Sequence, residues 1–158
     1  MGLLEPKGSG SGPRSLVVAK EALGAETAPS SFLLPAAAAG TLGSKLLLWD
    51  FSQKKVKKTY EGHRNTRHCL QAAFLVNDPS GEKFIVCGSE DHHVFLWRLN
   101  NKSIVGLLRG RADPGAPGDG HCDVVLSVAA NDSAAMIASA GGERDCTVKL
   151  WRHGGEPA

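Results

Sequence analysis

Apolar residues along this chain come in short runs bounded by turn residues, at the length of strands rather than helices. Four such runs follow one another at residues 68–76, 83–87, 93–97 and 102–108. Turn-forming clusters separate them, including Asn77-Asp78-Pro79-Ser80-Gly81 and Ser89-Glu90-Asp91, whose residue types favour chain reversal. Some runs are apolar at every position, as in Phe84-Ile85-Val86 and Val94-Phe95-Leu96. A strand with one wet face alternates apolar and polar residues, whereas a strand covered on both faces does not. The pattern predicts an all-β chain whose sheets stack face to face.

The pattern also repeats. Three similar strings end in tryptophan: Lys45-Leu46-Leu47-Leu48-Trp49-Asp50, His93-Val94-Phe95-Leu96-Trp97-Arg98 and Thr147-Val148-Lys149-Leu150-Trp151-Arg152. The tryptophans are 48 (97 − 49) and 54 (151 − 97) residues apart. The longer interval holds a Gly/Pro-rich stretch at residues 109–120, read as an inserted surface loop. Gly62-His63 precedes the second unit and Gly120-His121 the third. A fixed period of this size means one multi-stranded unit per repeat, each stacked on its neighbours.

Composition narrows the picture further. With 158 residues, 22% of them charged, and a net charge of +2, the chain carries no strong field toward nucleic acid or membrane. No apolar run approaches a membrane span, and the first seven residues lack the apolar stretch of a secretory signal. Gly2 does not make a myristoylation site, because Pro6 stands where Ser or Thr is needed. An intracellular protein is expected. Cys69, Cys87, Cys122 and Cys146 have neither C-x-x-C nor metal-ligand spacing, so free thiols, no metal and no cofactor are expected. Asp91-His92-His93 and His121-Cys122 lack a second ligand pair, and no phosphate-binding loop, dinucleotide fingerprint or nucleophile elbow is present. The basic run Lys54-Lys55-Val56-Lys57-Lys58 is read as solvated edge-strand lysines rather than a nucleic-acid contact or nuclear import signal.

Three segments are expected. Residues 1–31, with the tract Gly8-Ser9-Gly10-Ser11-Gly12-Pro13, form a mostly disordered leader in which residues 15–23 are a weak strand or a short helix. Residues 32–153 carry the repeats, and 154–158 are a tail.

Gly-His, a strand of small residues, Asp in a tight turn and a strand ending in Trp together resemble the WD-repeat pattern, from about Phe32 to Trp151. The resemblance implies a partial β-propeller, about three blades of antiparallel strands in an open arc, with a four-stranded second blade. It also implies a hydrogen-bonded chain within each blade, in which Asp holds His and a Ser links His to the Trp N–H. The third repeat offers the full set, His121, Ser139, Asp145 and Trp151. The second offers His63, Asp91 and Trp97 with Cys87 in place of Ser, which predicts a weaker network because a thiol is a poor donor. The first has Trp49 but only Gly43 or Ser44 in the turn. The same His, Asp and Ser would also suit a hydrolytic triad. The repeat pattern accounts for them and for their spacing, and no catalytic residue is assigned. The chain is read as the C-terminal part of a propeller whose first half is absent or replaced, with Leu16-Val17-Val18-Ala19 as a candidate strand for the last blade.

A narrower resemblance rests on Leu48-Trp49-Asp50-Phe51, Lys58-Thr59-Tyr60-Glu61-Gly62-His63, Ile85-Val86-Cys87-Gly88-Ser89-Glu90-Asp91, Leu96-Trp97-Arg98-Leu99, Asp123-Val124-Val125 and Ile137-Ala138-Ser139-Ala140. These strings resemble the WD-repeat subunit of COMPASS- and MLL-type histone lysine methyltransferase complexes. The resemblance implies a non-enzymatic nuclear scaffold whose partners are other subunits of such a complex, without direct nucleic-acid or membrane contact. It implies an outer groove for a partner peptide at Leu48, Phe74, Val76 and Asn100. It places His68, Cys69 and Gln71 at the central cavity, where the family stacks an arginine between aromatic rings. Gln71 stands where one of those rings is expected and His68 where the family has Tyr, Cys69 is retained, and the partner ring belongs to a blade this chain lacks, so arginine stacking is not expected. Two other readings are an adaptor of another pathway, such as ubiquitin ligation or RNA processing, and an incomplete propeller without independent activity.

Overall fold

The computed structural model describes residues 16–19, 36–77, 82–132 and 136–152, with only the backbone of 16–19. Among these residues there are eleven strands and no helix: β1 (Leu16–Ala19), β2 (Ala36–Thr41), β3 (Lys45–Asp50), β4 (Lys55–Tyr60), β5 (Ala72–Asn77), β6 (Glu82–Gly88), β7 (Val94–Arg98), β8 (Ile104–Leu108), β9 (Val125–Asn131), β10 (Met136–Gly141) and β11 (Val148–Arg152). They form three open antiparallel sheets, β1-β2-β3-β4, β5-β6-β7-β8 and β9-β10-β11, each a simple meander. The expected all-β arrangement of three blades with a four-stranded middle one is therefore present.

β1 departs from expectation. Leu16 lies opposite Thr41 and Ala19 opposite Ala38, so this strand joins the first sheet, not the last. A strand edge is a row of free N–H and C=O groups, and β1 closes the inner edge that β2 presents. The disordered leader expected over residues 1–31, apart from 16–19, and the tail expected at 154–158 lie outside the described residues.

The middle sheet is buried from both sides, and this explains its unbroken apolar runs. Along β6, Ile85 and Cys87 join Leu46, Leu48 and Tyr60 of the first sheet in one core cluster. Val86 and its neighbour Phe84 face the other way, toward Val125, Val128 and Ile137 of the third sheet. β7 divides likewise, with Phe95 and Trp97 toward the first sheet and Val94 and Leu96 toward the third. Each such fully buried side chain contributes about 1.5–3 kcal/mol of transfer free energy. The run at 68–76 forms a strand only from Ala72. The N–H groups of Thr66, Arg67 and His68 are taken instead by the Glu90 carboxylate.

The hairpins share one device. Ser44, His92 and Cys146 have φ of 57°, 72° and 49° and sit at the same place in the three turns before β3, β7 and β11. Lys54 and Lys102, with φ of 52° and 64°, do the same before β4 and β8. The insertion at 109–120 is a surface excursion whose ends are pinned: the Arg111 N–H donates to the His121 carbonyl at 2.7 Å, and the Arg111 carbonyl lies 3.0 Å from His92 Nδ1.

The third sheet contains the expected polar chain. Trp151 Nε1–H donates to Ser139 Oγ at 2.7 Å, and Ser139 is also 2.7 Å from His121 Nε2. His121 Nδ1 contacts Asp145 Oδ2, which also accepts the Thr147 hydroxyl at 2.6 Å. The proton order that satisfies every group is Trp N–H to Ser, Ser O–H to His, and His N–H to Asp. Burial opposes the charge on Asp145. Hydrogen bonds from His121, Thr147 and Cys122 outweigh it and hold the carboxyl well below the ordinary carboxylate range. Gly141 makes room, since a Cβ there would collide with that carboxylate.

The second sheet does not form its counterpart, which corrects the expectation of a weakened one at His63, Asp91 and Trp97. Ile85 faces Trp97 as Ile137 faces Trp151, so Cys87 stands where Ser139 stands. The thiol does not replace the hydroxyl. Both ring nitrogens of buried His63 lack a partner, Trp97 Nε1–H donates to the Glu61 carbonyl at 3.0 Å, and Asp91 serves its own turn by accepting the His93 N–H at 3.3 Å. The imidazole is held by ring packing instead, edge-on to Trp97 at 5.5 Å.

Opposite effects are expected at these two equivalent places. Ser139→Ala strands two buried polar groups and lowers stability by about 2 kcal/mol, whereas Cys87→Ser gives His63 a partner and raises it by about 1 kcal/mol. Urea midpoints measure both, and a lower midpoint for Cys87→Ser contradicts the account.

A second expectation concerns pH. Burial lowers the basicity of His63, against the opposing pull of Asp91 and Glu90. Below its unfolded value of 6.5, the unfolded chain takes up a proton that the folded chain resists, so stability falls as pH falls. Asp145 adds a lower window, its contribution being complete above the unfolded value of 3.8 and lost as pH drops further. The midpoint should decline from about pH 7 to about pH 5 in the parent and stay flatter in His63→Phe. Parallel profiles for the two proteins would contradict this assignment.

Candidate functional site

The four positions expected to form an outer groove lie around the seam between the first and second sheets. Leu48 and Phe74 are both buried in the core cluster that fills this seam, so they support the surface rather than form it. Val76 is half-buried and Asn100 exposed. The two share one end of the second sheet: Val76 lies opposite Lys83, whose carbonyl accepts the Leu99 N–H at 2.8 Å. The Val76 N–H donates at 2.8 Å to Asp132 Oδ1, in the turn after β9.

Two residues of β4 clasp this seam. The Tyr60 hydroxyl donates to the Leu99 carbonyl at 2.9 Å. Lys58 Nζ donates to the same carbonyl at 2.8 Å and to that of Asn100 at 2.7 Å. Burial raises the Tyr60 phenol far above its ordinary value. Burial, then the charges of Lys57 and Lys102, lower Lys58. At the corner beside Asn100, Lys58 is thus bound to two backbone carbonyls at the edge of an apolar seam. Lys57 is also 3.5 Å from Asp50, so the basic run contributes to sheet contacts as well as to an exposed edge. The Lys58-Thr59-Tyr60 string carries a family resemblance, but its spacing from β7 shows nothing of the clasp.

The expected cavity residues lie at the opposite end of β5. His68, Cys69 and Gln71 are exposed. Gln71 Oε1 accepts the Ser127 hydroxyl, and its N–H donates to the Leu126 carbonyl at 3.0 Å, joining the inner strands of two sheets. Glu90 organises this end and was missed from sequence. Its carboxylate accepts the N–H groups of Thr66, Arg67 and His68 at 2.9, 2.6 and 3.0 Å and the Thr66 hydroxyl at 2.7 Å. Burial pushes its pKa up, but these bonds prevail and bring it down to about 2. Phe, Tyr and Trp are absent from these positions.

Chemically the arrangement suits binding. The Asp145–His121–Ser139 order is that of a hydrolytic triad, but Ser139 is only 2% exposed and its oxygen already receives the Trp151 N–H. No substrate carbonyl can reach it. Cys87 is fully buried, and burial pushes its thiol up to about 12, which suppresses the thiolate. Among the described residues, no three His, Cys, Asp or Glu side chains are placed to hold a metal ion.

Comparison with known proteins agrees with this architecture. The family model "WD domain, G-beta repeat" matches residues 54–98 and 117–152, together half of the chain. The chain is 31% identical over 109 residues to "WD repeat-containing protein WDS homolog" of Arabidopsis thaliana, covering 68% of this chain and 18% of that protein. It is 27% identical over 111 residues to "GID complex subunit 7" of Schizosaccharomyces pombe, covering 70% and 19%. The chain thus spans about a fifth of the length of these relatives. In fold it resembles the computationally designed Ika4 protein, with a TM-score of 0.51 and 18% identity over 75% of this chain and 61% of that one. Repeat match, sheet order and the Trp–Ser–His–Asp chain of the third sheet agree: the chain belongs to the WD-repeat family.

Proposed function

We propose that this chain is a scaffold of a histone lysine methyltransferase complex, taking an acidic–apolar peptide of a neighbouring subunit at the corner formed by Val76, Asn100, Lys58 and Lys102. WD repeats mediate protein–protein interactions, and the finer reading rests on the Lys58–Tyr60 segment and the strings that resemble that subunit. The observation that carries it is the Lys58 ammonium held on the Leu99 and Asn100 carbonyls beside half-buried Val76, with exposed Lys102 two residues beyond Asn100. An acidic residue is drawn to the ammonium groups, and apolar neighbours cover Val76. The same reading puts the chain in the nucleus and leaves arginine-bearing peptides unbound, because Gln71 stands where a stacking ring is expected. A second reading, an adaptor in a different assembly, draws on the similarity to a protein named as a GID complex subunit.

Calorimetric titration with an acidic–apolar peptide and an arginine-bearing histone-tail peptide tests the proposal. Binding of the first alone is expected. Asn100→Ala should weaken it by about 1 kcal/mol, roughly fivefold, and Lys102→Glu should weaken it most at low salt. Phe74→Ala is a poor probe, since that ring is core and its loss unfolds the seam. Equal affinity for both peptides, or indifference to Asn100→Ala and Lys102→Glu together, would refute the site.

A further inference from the structure

We propose that the β6–β7 turn is an acid-operated switch: proton uptake by His63 turns the Asp91 carboxylate inward to meet the ring, and the movement reaches the loop at 109–120 through His92. The proposal is independent of the peptide reading. It rests on a buried ring without a partner beside a carboxylate able to supply one.

His63 is 3% exposed, and neither ring nitrogen has a hydrogen-bond partner among the described residues. A protonated ring in that place has two N–H donors to satisfy and a charge as well, so it cannot stay unpaired. The elements packed around it leave few remedies. From β7, Trp97 lies edge-on at 5.5 Å and Phe95 at 6.5 Å, with His93 stacked on Phe95. From β4, Tyr60 packs on Trp97, and from β6, Cys87 stands where Ser139 meets its histidine. Burial keeps both the phenol and the thiol protonated. The negative charges that act on the ring are those of Asp91 and Glu90, in the β6–β7 turn.

Glu90 is committed. It holds the N–H groups of Thr66, Arg67 and His68 and the Thr66 hydroxyl, and moving it would release all four. Asp91 is held loosely. Its side chain is 37% exposed, lies 3.7 Å from the His93 ring and accepts the His93 N–H at 3.3 Å. The third sheet shows the place it can take. Asp91 and Asp145 both stand six residues before a tryptophan (97 − 91 and 151 − 145), and each precedes a residue of positive φ, His92 and Cys146. Asp145 is turned inward and meets His121 Nδ1. Carboxylates remain charged in the range where imidazoles take up a proton, so a protonated His63 draws Asp91 in across a medium of low dielectric.

This turn is a junction. The Ser89 carbonyl accepts the Val125 N–H at 3.1 Å, Ser89 Oγ accepts the Arg64 N–H at 2.9 Å, and His92 Nδ1 lies 3.0 Å from the Arg111 carbonyl at the start of the inserted loop. Asp91 sits between Glu90, which four bonds hold, and His92, which one bond holds. Its inward turn is therefore passed to His92 and Arg111. The loss of stability in acid follows from a ring that resists the proton; the inward Asp91 is how the folded chain accommodates it.

Nuclear magnetic resonance of the full chain, titrated from about pH 7.5 to about pH 5, tests this. The His63 ring and the Asp91 carboxyl carbon should change in one step, and the Arg111 amide should shift at the same midpoint. Both of the latter changes should vanish at that midpoint in His63→Phe. Asp91→Asn should lower the proton affinity of His63 about tenfold, a downward move of about one pH unit. An Asp91 step that persists in His63→Phe belongs to His93, and an Arg111 shift that persists belongs to His92; either overturns the switch. So does a His63 ring that stays neutral until the chain unfolds. Should His63→Phe fail to fold, Asp91→Asn, at a partly exposed side chain, decides alone, and an unchanged His63 midpoint overturns the proposal.

Discussion

A sheet with a neighbour on each face has no face left for polar side chains. That constraint governs the centre of this molecule. β6 and β7 send successive residues to opposite clusters, Ile85, Cys87, Phe95 and Trp97 one way and Phe84, Val86, Val94 and Leu96 the other. Polar groups are thereby confined to the turns and to the two ends of each strand. The lysine clasp at one end and the Glu90 latch at the other are both found there, and each satisfies backbone groups that stacked sheets leave without a partner.

A polar chain inside such a stack must be complete or absent, because each buried group left over costs its full desolvation. The third sheet takes the first course, with Asp145, His121, Ser139 and Trp151 satisfying one another in sequence. The second takes neither fully. Its tryptophan finds a carbonyl, its turn Asp finds a backbone N–H, and His63 is left packed between aromatic neighbours with no hydrogen bond. Cys87 in the place of Ser139, a turn Asp that serves its own backbone and a tryptophan bonded to the Glu61 carbonyl together separate the two outcomes.

The sheet plan was legible in the sequence where a residue's surroundings are dictated by its own pattern. Unbroken apolar runs at Phe84-Ile85-Val86 and Val94-Phe95-Leu96 imply cover on both sides, and the WD-repeat resemblance implies the third network at His121, Ser139, Asp145 and Trp151. The site was less legible. Leu48 and Phe74 were placed by resemblance, which maps a position but not how deeply it lies. Glu90 escaped because its partners are backbone N–H groups that every sequence possesses. The place of β1 was misjudged because Leu-Val-Val-Ala states a preference for pairing and nothing about which edge it pairs with.

Hydrogen exchange tests the claim that the doubly covered middle sheet holds the molecule together. Amides of Ile85, Val86 and Cys87 and of Phe95, Leu96 and Trp97 lie on central strands between two apolar clusters, so their opening requires both seams to part. They should exchange slowest of all. Amides of β4 and β11, on outer edges, should exchange fastest among the strands. Greatest protection in β9 to β11, or uniform protection across the three sheets, would mean that the polar chain of the third sheet, and not face-to-face burial of the second, is what the structure depends on.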